Sequence, residues 1–372
     1  MKRIYLSPPH MTGNELTYIK EAIDQNWVAP IGPQLNEFES KISKYVGINY
    51  AIGVSSGTAG LHLALKAIGI KEGDYVLCSD LTFIGSVNPI LYCGANPIFV
   101  DSEKESWNMD HLLLEEEIQR CIKEGIRPKA LILVHVFGMM GAVGEIVKIC
   151  RKYNIPLVED AAESLGSIYK EIHTGTIGDI GVYSFNGNKL LTTSGGGIIV
   201  TQNKEYADRI RFLSTQAKDA APYYQHSEIG FNYRLSNILA AIGIAQIDVI
   251  EERIEKTRRI HKFYIDKLGD HIDFLVEDHG NRSNIWLTCG ILKNSSKTPG
   301  ELVEILENHN IEARRIWNPM HCQPVLKEHR YVSSCPSVSK MIFDRGICFP
   351  SGTNMTEHDL DRVIKASLSY LQ

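Results

Sequence analysis

The chain has 372 residues, 44% of them apolar and 22% charged, with a net charge of −5. That length suits one large domain with a smaller one beside it. No basic block supports nucleic-acid binding, and a mildly acidic surface does not favour anionic membranes.

No apolar run is long enough to span a bilayer; the longest candidate, near 130–143, is broken by His135, Gly138 and Gly141. The opening MKRIYLSPPHM has no apolar core of a signal peptide, because Pro8 and Pro9 interrupt it. Eight cysteines are scattered without CxxC pairs, which predicts reduced, buried thiols in the cytoplasm and no metal site.

In chain order, residues 14–26 read as a helix, followed by the Pro- and Gly-bearing loop WVAPIGPQ at 27–34. A second helix over 35–46 has Leu35, Phe38, Ile42 and Tyr45 at helical spacing. From about 50 a β/α rhythm begins. Apolar runs at 50–54, 75–78, 97–100, 130–136, 156–159, 180–185 and 197–201 predict seven strands. Helix-like stretches at 58–69, 84–93, 110–124, 141–153 and 203–213 lie between several of them. Alternation of this kind predicts a mostly parallel sheet covered on both faces, with ligands at the carboxyl ends of its strands. A long helical stretch, 235–269, then leads to strand-like and helix-like units at 284–292, 299–309, 311–316, 346–349 and 356–370. The expected division is a large domain over 1–250, whose N-terminal segment could pack with the second, and a small α/β domain over 251–372.

Four stretches could carry chemistry. In SSGTAG (55–60) a strand runs into a helix start, so Gly57 and Thr58 would offer free N–H groups and a helix dipole to an anion. Taken alone, Thr58 is equally well read as an N-cap. In VEDAAESLG (158–166) the acids Glu159, Asp160 and Glu163 follow a strand end; a solvated turn capped by Asp160 is the blander reading. In SFNGNK (184–189) Lys189 has no acid between Asp179 and Glu205 to pair with locally. It could be a desolvated amine nucleophile or an exposed loop lysine. In IGFNYRLSN (229–237) Asn232, Arg234 and Asn237 precede a helix that Ser236 or Asn237 could cap. Together they propose an anion-binding corner, a carboxylate and a nucleophilic lysine on one rim, the parts that pyridoxal 5′-phosphate requires.

The set SSGTAGLHLAL, TFIGS, VEDAAESLG, YSFNGNKLLTTSGGG and FNYRLSN, in this order, resembles the DegT/DnrJ/StrS family of nucleotide-sugar aminotransferases over nearly the whole chain. The resemblance implies the aspartate-aminotransferase fold, type I among pyridoxal phosphate enzymes. It also implies a homodimer with active sites at the subunit interface. Lys189 would then bind the cofactor covalently and act as the proton-moving base, and Asp160 would hold the pyridine nitrogen. Phe83 would stack on the ring, and Gly57, Thr58 and Ser184 would take the phosphate. Glu163 would lie near the ring hydroxyl, Asn232 would reach the phosphate of the other subunit's cofactor, and His321, in PMHCQP (319–324), would lie near the sugar or nucleotide. Members with His in place of the lysine are dehydratases, so Lys189 favours transamination. WVAPIGPQ and YYQHSEIGFNYRLSN look like the enzymes that act on UDP-4-keto-6-deoxy-N-acetylglucosamine, with L-glutamate as donor, on the route to bacillosamine-type glycans. Perosamine synthases acting on a GDP-linked 4-keto sugar share much of the pattern. A dTDP-linked keto sugar would be a third substrate of this class, and a non-catalytic regulator could also have kept this fold.

Overall fold

Each of the seven apolar runs forms a strand. The computed structural model describes residues 2–278 and 280–372. The strands join one sheet in the order Tyr50–Val54, Gly197–Thr201, Ile180–Ser184, Leu157–Asp160, Ala130–Val134, Tyr75–Ser79 and Asn96–Val100. An eighth strand, Arg330–Val332, lies parallel beside Asn96–Val100 at the edge. Gly197–Thr201 runs antiparallel to both neighbours, and the other pairings are parallel. The mixed direction follows from connectivity: a short loop joins Ile180–Ser184 to Gly197–Thr201, whereas helical crossovers make parallel pairs.

Alternate residues enter cores on opposite faces. Val76, Cys78, Ile132, Val158, Val182 and Ile199 pack with helices Gly57–Ile68 and Lys204–Ser214. Leu77, Leu131, Leu133 and Leu157 pack with His111–Lys123 and Val143–Tyr153. Tyr183, Ile198 and Val200 meet Phe38 and Ile42 of Pro33–Val46 and Ile244 of Asn237–Ile247. A sheet buried on both faces explains why its strands read as unbroken apolar runs.

Two expected helices differ. The stretch 84–93 is a 3₁₀ turn, Ile84–Ser86, then the short helix Asn88–Tyr92, because Pro89 has no N–H to continue a preceding turn. The stretch 235–269 is two helices, Asn237–Ile247 and Ile250–Leu268, separated where Val249 leaves helical geometry (φ −114°, ψ 10°). The first is apolar and buried on most sides. The second sends Ile250 and Ile254 into the core around Phe38, and Ile260, Tyr264 and Leu268 into another core. That other core lies against an antiparallel sheet ordered Ile272–Phe274, Thr288–Leu292, Gly346–Phe349, Arg314–Arg315, with helices Pro299–Asn308 and Glu357–Leu371. Ile4 joins this second core and bridges to Ile311, so the N-terminal segment packs with the C-terminal part of the chain. Among the described residues no helix is long and apolar enough to cross a membrane. All eight cysteines are free thiols.

The C-terminal part is fastened to the sheet's carboxyl rim by Asp101, which is fully buried and accepts N–H bonds from Val338 and Ser339, each at 2.9 Å. These N–H groups begin helix Val338–Arg345, where a carboxylate also meets the helix dipole favourably. Asp101→Ala should destabilise the protein by about 2–3 kcal/mol, the cost of orphaning buried donors. Chemical denaturation followed by tryptophan fluorescence checks this.

Candidate active site

A cavity of about 890 Å³ opens at the carboxyl ends of the central strands. Its wall includes Gly57, Thr58, Phe83, Asp160, Glu163, Ser184 and Lys189, so seven of the nine site residues expected from sequence meet in one space. They come from four separate segments.

At the end of Leu157–Asp160, neighbouring acids take opposite faces, as strand geometry requires. Asp160 faces the cavity. Its Oδ2 accepts a 2.6 Å bond from Ser86 Oγ, and its Oδ1 accepts from Ala162 N at 3.2 Å. Burial raises its proton affinity above the ordinary carboxylate range, against the opposing pull of Ser86, the Ala162 N–H and the Lys189 charge. Glu159 points away and is structural. It pairs with His135 Nε2 at 2.8 Å and accepts N–H bonds from Gly175 (2.8 Å), Ile177 (2.7 Å) and Gly178 (2.6 Å). Burial raises its proton affinity, but the bond to His135, that ring's charge and the Gly178 and Gly175 N–H groups outweigh burial and hold its carboxyl below the usual range.

Lys189 does have a partner, though not a sequence-local one. Its Nζ lies 3.1 Å from Glu163 Oε1 and 3.8 Å from the centroid of the Trp286 ring, a cation–π contact. Glu163 is itself held by Phe137 N (2.8 Å to Oε2), and burial raises its proton affinity despite Lys189 and that N–H. The loop carrying Lys189 is fixed at Asn188, whose carbonyl accepts from Ser7 Oγ (2.9 Å) and Trp286 Nε1 (2.8 Å). Beyond it, Phe185 bonds across the loop to Gly196 and Thr193.

The anion corner is capped by Ser56, not Thr58: the Ser56 hydroxyl accepts from Ala59 N at 3.0 Å. Gly57 and Thr58 are thereby left on the cavity wall in the first turn, where N–H groups have no intrahelical carbonyl. A Cβ on Gly57 would lie 3.1 Å from Ser184 Cβ and 3.4 Å from its Oγ. Glycine therefore keeps open the cradle between the helix start and the end of Ile180–Ser184.

The other two, Asn232, expected at the other subunit's cofactor, and His321, lie outside this cavity's wall. Asn232 is exposed, and its backbone bridges to Thr215. His321 Nδ1 is 2.7 Å from Asp80 Oδ2, and its ring stacks on Tyr331 at 3.9 Å. Arg234 and Asn237 are structural. Arg234 pairs with Glu39 at 2.8 Å, and Asn237 bonds Trp27 O, Gln34 and Leu35 N, which ties down the WVAPIGPQ loop. Sequence reasoning missed Ser86, Trp286, Trp317, Arg314 and Arg315, all on the cavity wall. Only Ser86 carried a signal, since it ends the TFIGS segment that contains Phe83.

The sequence pattern of the DegT/DnrJ/EryC1/StrS aminotransferase family matches residues 9–367. The chain is 48% identical to EpsN of Bacillus subtilis, a protein named for pyridoxal phosphate-dependent aminotransferase activity, over 99% of this chain and 95% of that one. It is 36% identical to the GDP-perosamine synthase of Escherichia coli O157:H7, over 97% of this chain and 96% of that one. Among solved structures, the aminotransferase TlmJ of Streptoalloteichus hindustanus superposes with a TM-score of 0.92 at 25% identity, covering 100% of this chain and 99% of that one.

The donor set fits pyridoxal 5′-phosphate. The open cradle at Gly57 and Ser184 suits a phosphate, a buried carboxylate with unused lone pairs suits a protonated ring nitrogen, and an amine stands in the same cavity.

The two neighbouring acids should answer oppositely to neutralisation. Glu159 has a depressed proton affinity in the fold, so its stabilisation is complete above the unfolded carboxylate value, about 4.3, and is lost as pH falls through its lower folded value. Glu159→Gln should cost about 3 kcal/mol at pH 7 and flatten the acid limb of stability. Asp160 has a raised affinity, so its charge opposes folding once pH exceeds the unfolded value. Cofactor-free Asp160→Asn should melt no lower than the parent at pH 7. Melting curves of the cofactor-free proteins from pH 3 to pH 8 check both signs.

Proposed function

This chain belongs to the DegT/DnrJ/EryC1/StrS aminotransferase family, and we propose that it aminates the keto carbon of UDP-2-acetamido-4-keto-2,6-dideoxyhexose, with L-glutamate as donor. The coarser activity, pyridoxal 5′-phosphate-dependent sugar amination, follows from that membership. The observation that carries the site reading is the convergence of Lys189, Asp160 and the Gly57–Ser184 cradle on one cavity. The UDP-linked substrate is supported by the WVAPIGPQ and YYQHSEIGFNYRLSN stretches. The cavity volume lies toward the upper end of small-molecule sites, roughly 300–1,000 Å³, which suits a cofactor with an extended substrate. Arg314 and Arg315 on its wall would suit a diphosphate.

When bound, pyridoxal 5′-phosphate supplies an aldehyde that takes up an amino group and a ring that withdraws electrons. Lys189 would anchor the cofactor through Nζ, and the same amine is placed to move protons in the cavity. Glu163 orients that Nζ from one side and Trp286 from the other. Asp160 would hold the proton of the ring nitrogen, Phe83 would line the ring, and Gly57, Thr58 and Ser184 would hold the phosphate. Glutamate leaves as 2-oxoglutarate and the keto sugar leaves as the amino sugar, so the exchange balances without another reactant. The reading carries with it a cytoplasmic homodimer in which Asn232 serves the partner's cavity.

A GDP-linked 4-keto sugar is the second reading, favoured by the relatives named GDP-perosamine synthase. Incubation with glutamate and a panel of UDP-, GDP- and dTDP-linked 4-keto sugars, read by product mass, decides between them. A GDP-amino sugar as the sole product would overturn the UDP assignment. Lys189→Ala should lower transamination by about 10³-fold or more and abolish borohydride fixation of the cofactor to the chain, which peptide mass mapping checks.

A further inference from the structure

We propose that Ser86 is a positioning residue that, with Thr82 behind it, keeps Asp160 anionic and aimed at the cofactor's ring nitrogen. Three side chains form a buried line. Thr82 Oγ1 lies 2.6 Å from Ser86 Oγ, which lies 2.6 Å from Asp160 Oδ2, and Thr82 and Ser86 are 1% and 2% exposed. Hydroxyl hydrogens fix the direction of the line. An ionised carboxylate only accepts, so Ser86 must donate its single proton to Asp160. Its oxygen can then only accept from Thr82. The order Thr82 to Ser86 to Asp160 therefore belongs to the charged carboxylate, whereas protonated Asp160 could reverse it. With Ala162 N on Oδ1, each carboxylate oxygen has one protein donor and keeps a lone pair for the cavity.

The same turn sets the ring's walls. Ser86 N bonds Phe83 O at 3.1 Å, so the segment that places Phe83 on the cavity wall also places the hydroxyl on Asp160. The other titratable groups acting on Asp160 are Lys189, Glu163, His135 and Cys78. Lys189 is bonded to Glu163 rather than to Asp160, so Ser86 is the side-chain donor in direct contact with it.

The proposal rests on the reading of Asp160 as the ring-nitrogen partner, and the test separates the two. The holoenzyme variants Ser86→Ala, Thr82→Val and Asp160→Asn are compared by the pH titration of the bound cofactor's visible absorbance and by kcat and KM for glutamate. A ring with a weaker hold on its nitrogen proton withdraws fewer electrons. Ser86→Ala should therefore titrate at higher pH and lose about 10- to 100-fold in kcat, with KM for glutamate nearly unchanged. Thr82→Val should shift the same way by less, and it decides the matter if Ser86→Ala does not load with cofactor. Parent-like titration and kcat in the loaded variants, with Asp160→Asn impaired, would overturn the role of Ser86 alone. Parent-like behaviour of Asp160→Asn would overturn the Asp160 reading itself.

Discussion

Buried carboxylates at the carboxyl rim of the sheet must each find donors, and much of the molecule's arrangement follows from where those donors come from. Asp80 follows Tyr75–Ser79, Asp101 follows Asn96–Val100, and Asp160 ends Leu157–Asp160; all three are buried. A buried ionised group costs several kcal/mol unless hydrogen bonds compensate it. For Asp80 the donors are His321 N and Ser339 Oγ, with His321 Nδ1 also in contact; for Asp101 they include Val338 N and Ser339 N. These donors come from 237 to 259 residues later, beside the local Ser102 N–H on Asp101, so satisfying these acids docks the C-terminal part of the chain on the rim. Asp160 takes no donor from the C-terminal part: it is satisfied by Ser86, 74 residues earlier on the same sheet rim, and by Ala162, and so is the one of these three acids that faces the cavity.

What the sequence made legible follows from the range of each interaction. The seven strands were readable because a doubly covered sheet demands apolar side chains on both faces, as the Val76–Cys78 and Leu131–Leu133 runs show. The eighth strand, Arg330–Val332, was not readable: it is short, sits at the edge, and carries an arginine that pairs with Glu124 at 2.6 Å. The break near Val249 was also hidden, because Asn237–Ile247 is apolar on most sides and Ile250 and Ile254 continue into the same core around Phe38, so the apolar run reads straight through it. His321 was expected near the substrate because its motif was matched as a unit. Its imidazole answers Asp80, a partner that no local pattern announces.

The same limit explains the pocket residues. Gly57, Thr58, Ser184 and Asp160 could be found because each stands where a strand ends or a helix begins, and such positions have local signatures; Lys189, inside the following loop, stood out because no acid lies between Asp179 and Glu205. Trp286 has none. It stands over Lys189 directly after Ile285, which adopts φ 48°, a left-handed conformation costly for a β-branched residue. Phe137, on the other side, has φ 54° and presents its N–H to Glu163.

Asn284 is the chain neighbour of Ile285 and packs against Gly138, the chain neighbour of Phe137. Asn284 Oδ1 accepts Trp286 N at 3.0 Å, and Asn284 Nδ2 donates to Glu163 O at 2.8 Å and Leu165 O at 3.0 Å. Gly138, next to Phe137, has φ +86°, and a Cβ there would lie 2.0 Å from Asn284 Oδ1. Only glycine admits the asparagine so close. One buried amide thus spaces the carboxylate wall and the aromatic wall between which the Lys189 amine stands. Either wall alone would leave the amine free to swing, since a lysine side chain has several soft torsions. With both set beside Asn284, the position of Nζ depends on packing between the large sheet's loops and the strand region near 288 as well as on the loop that carries Lys189, whose Asn188 carbonyl accepts from Trp286 Nε1.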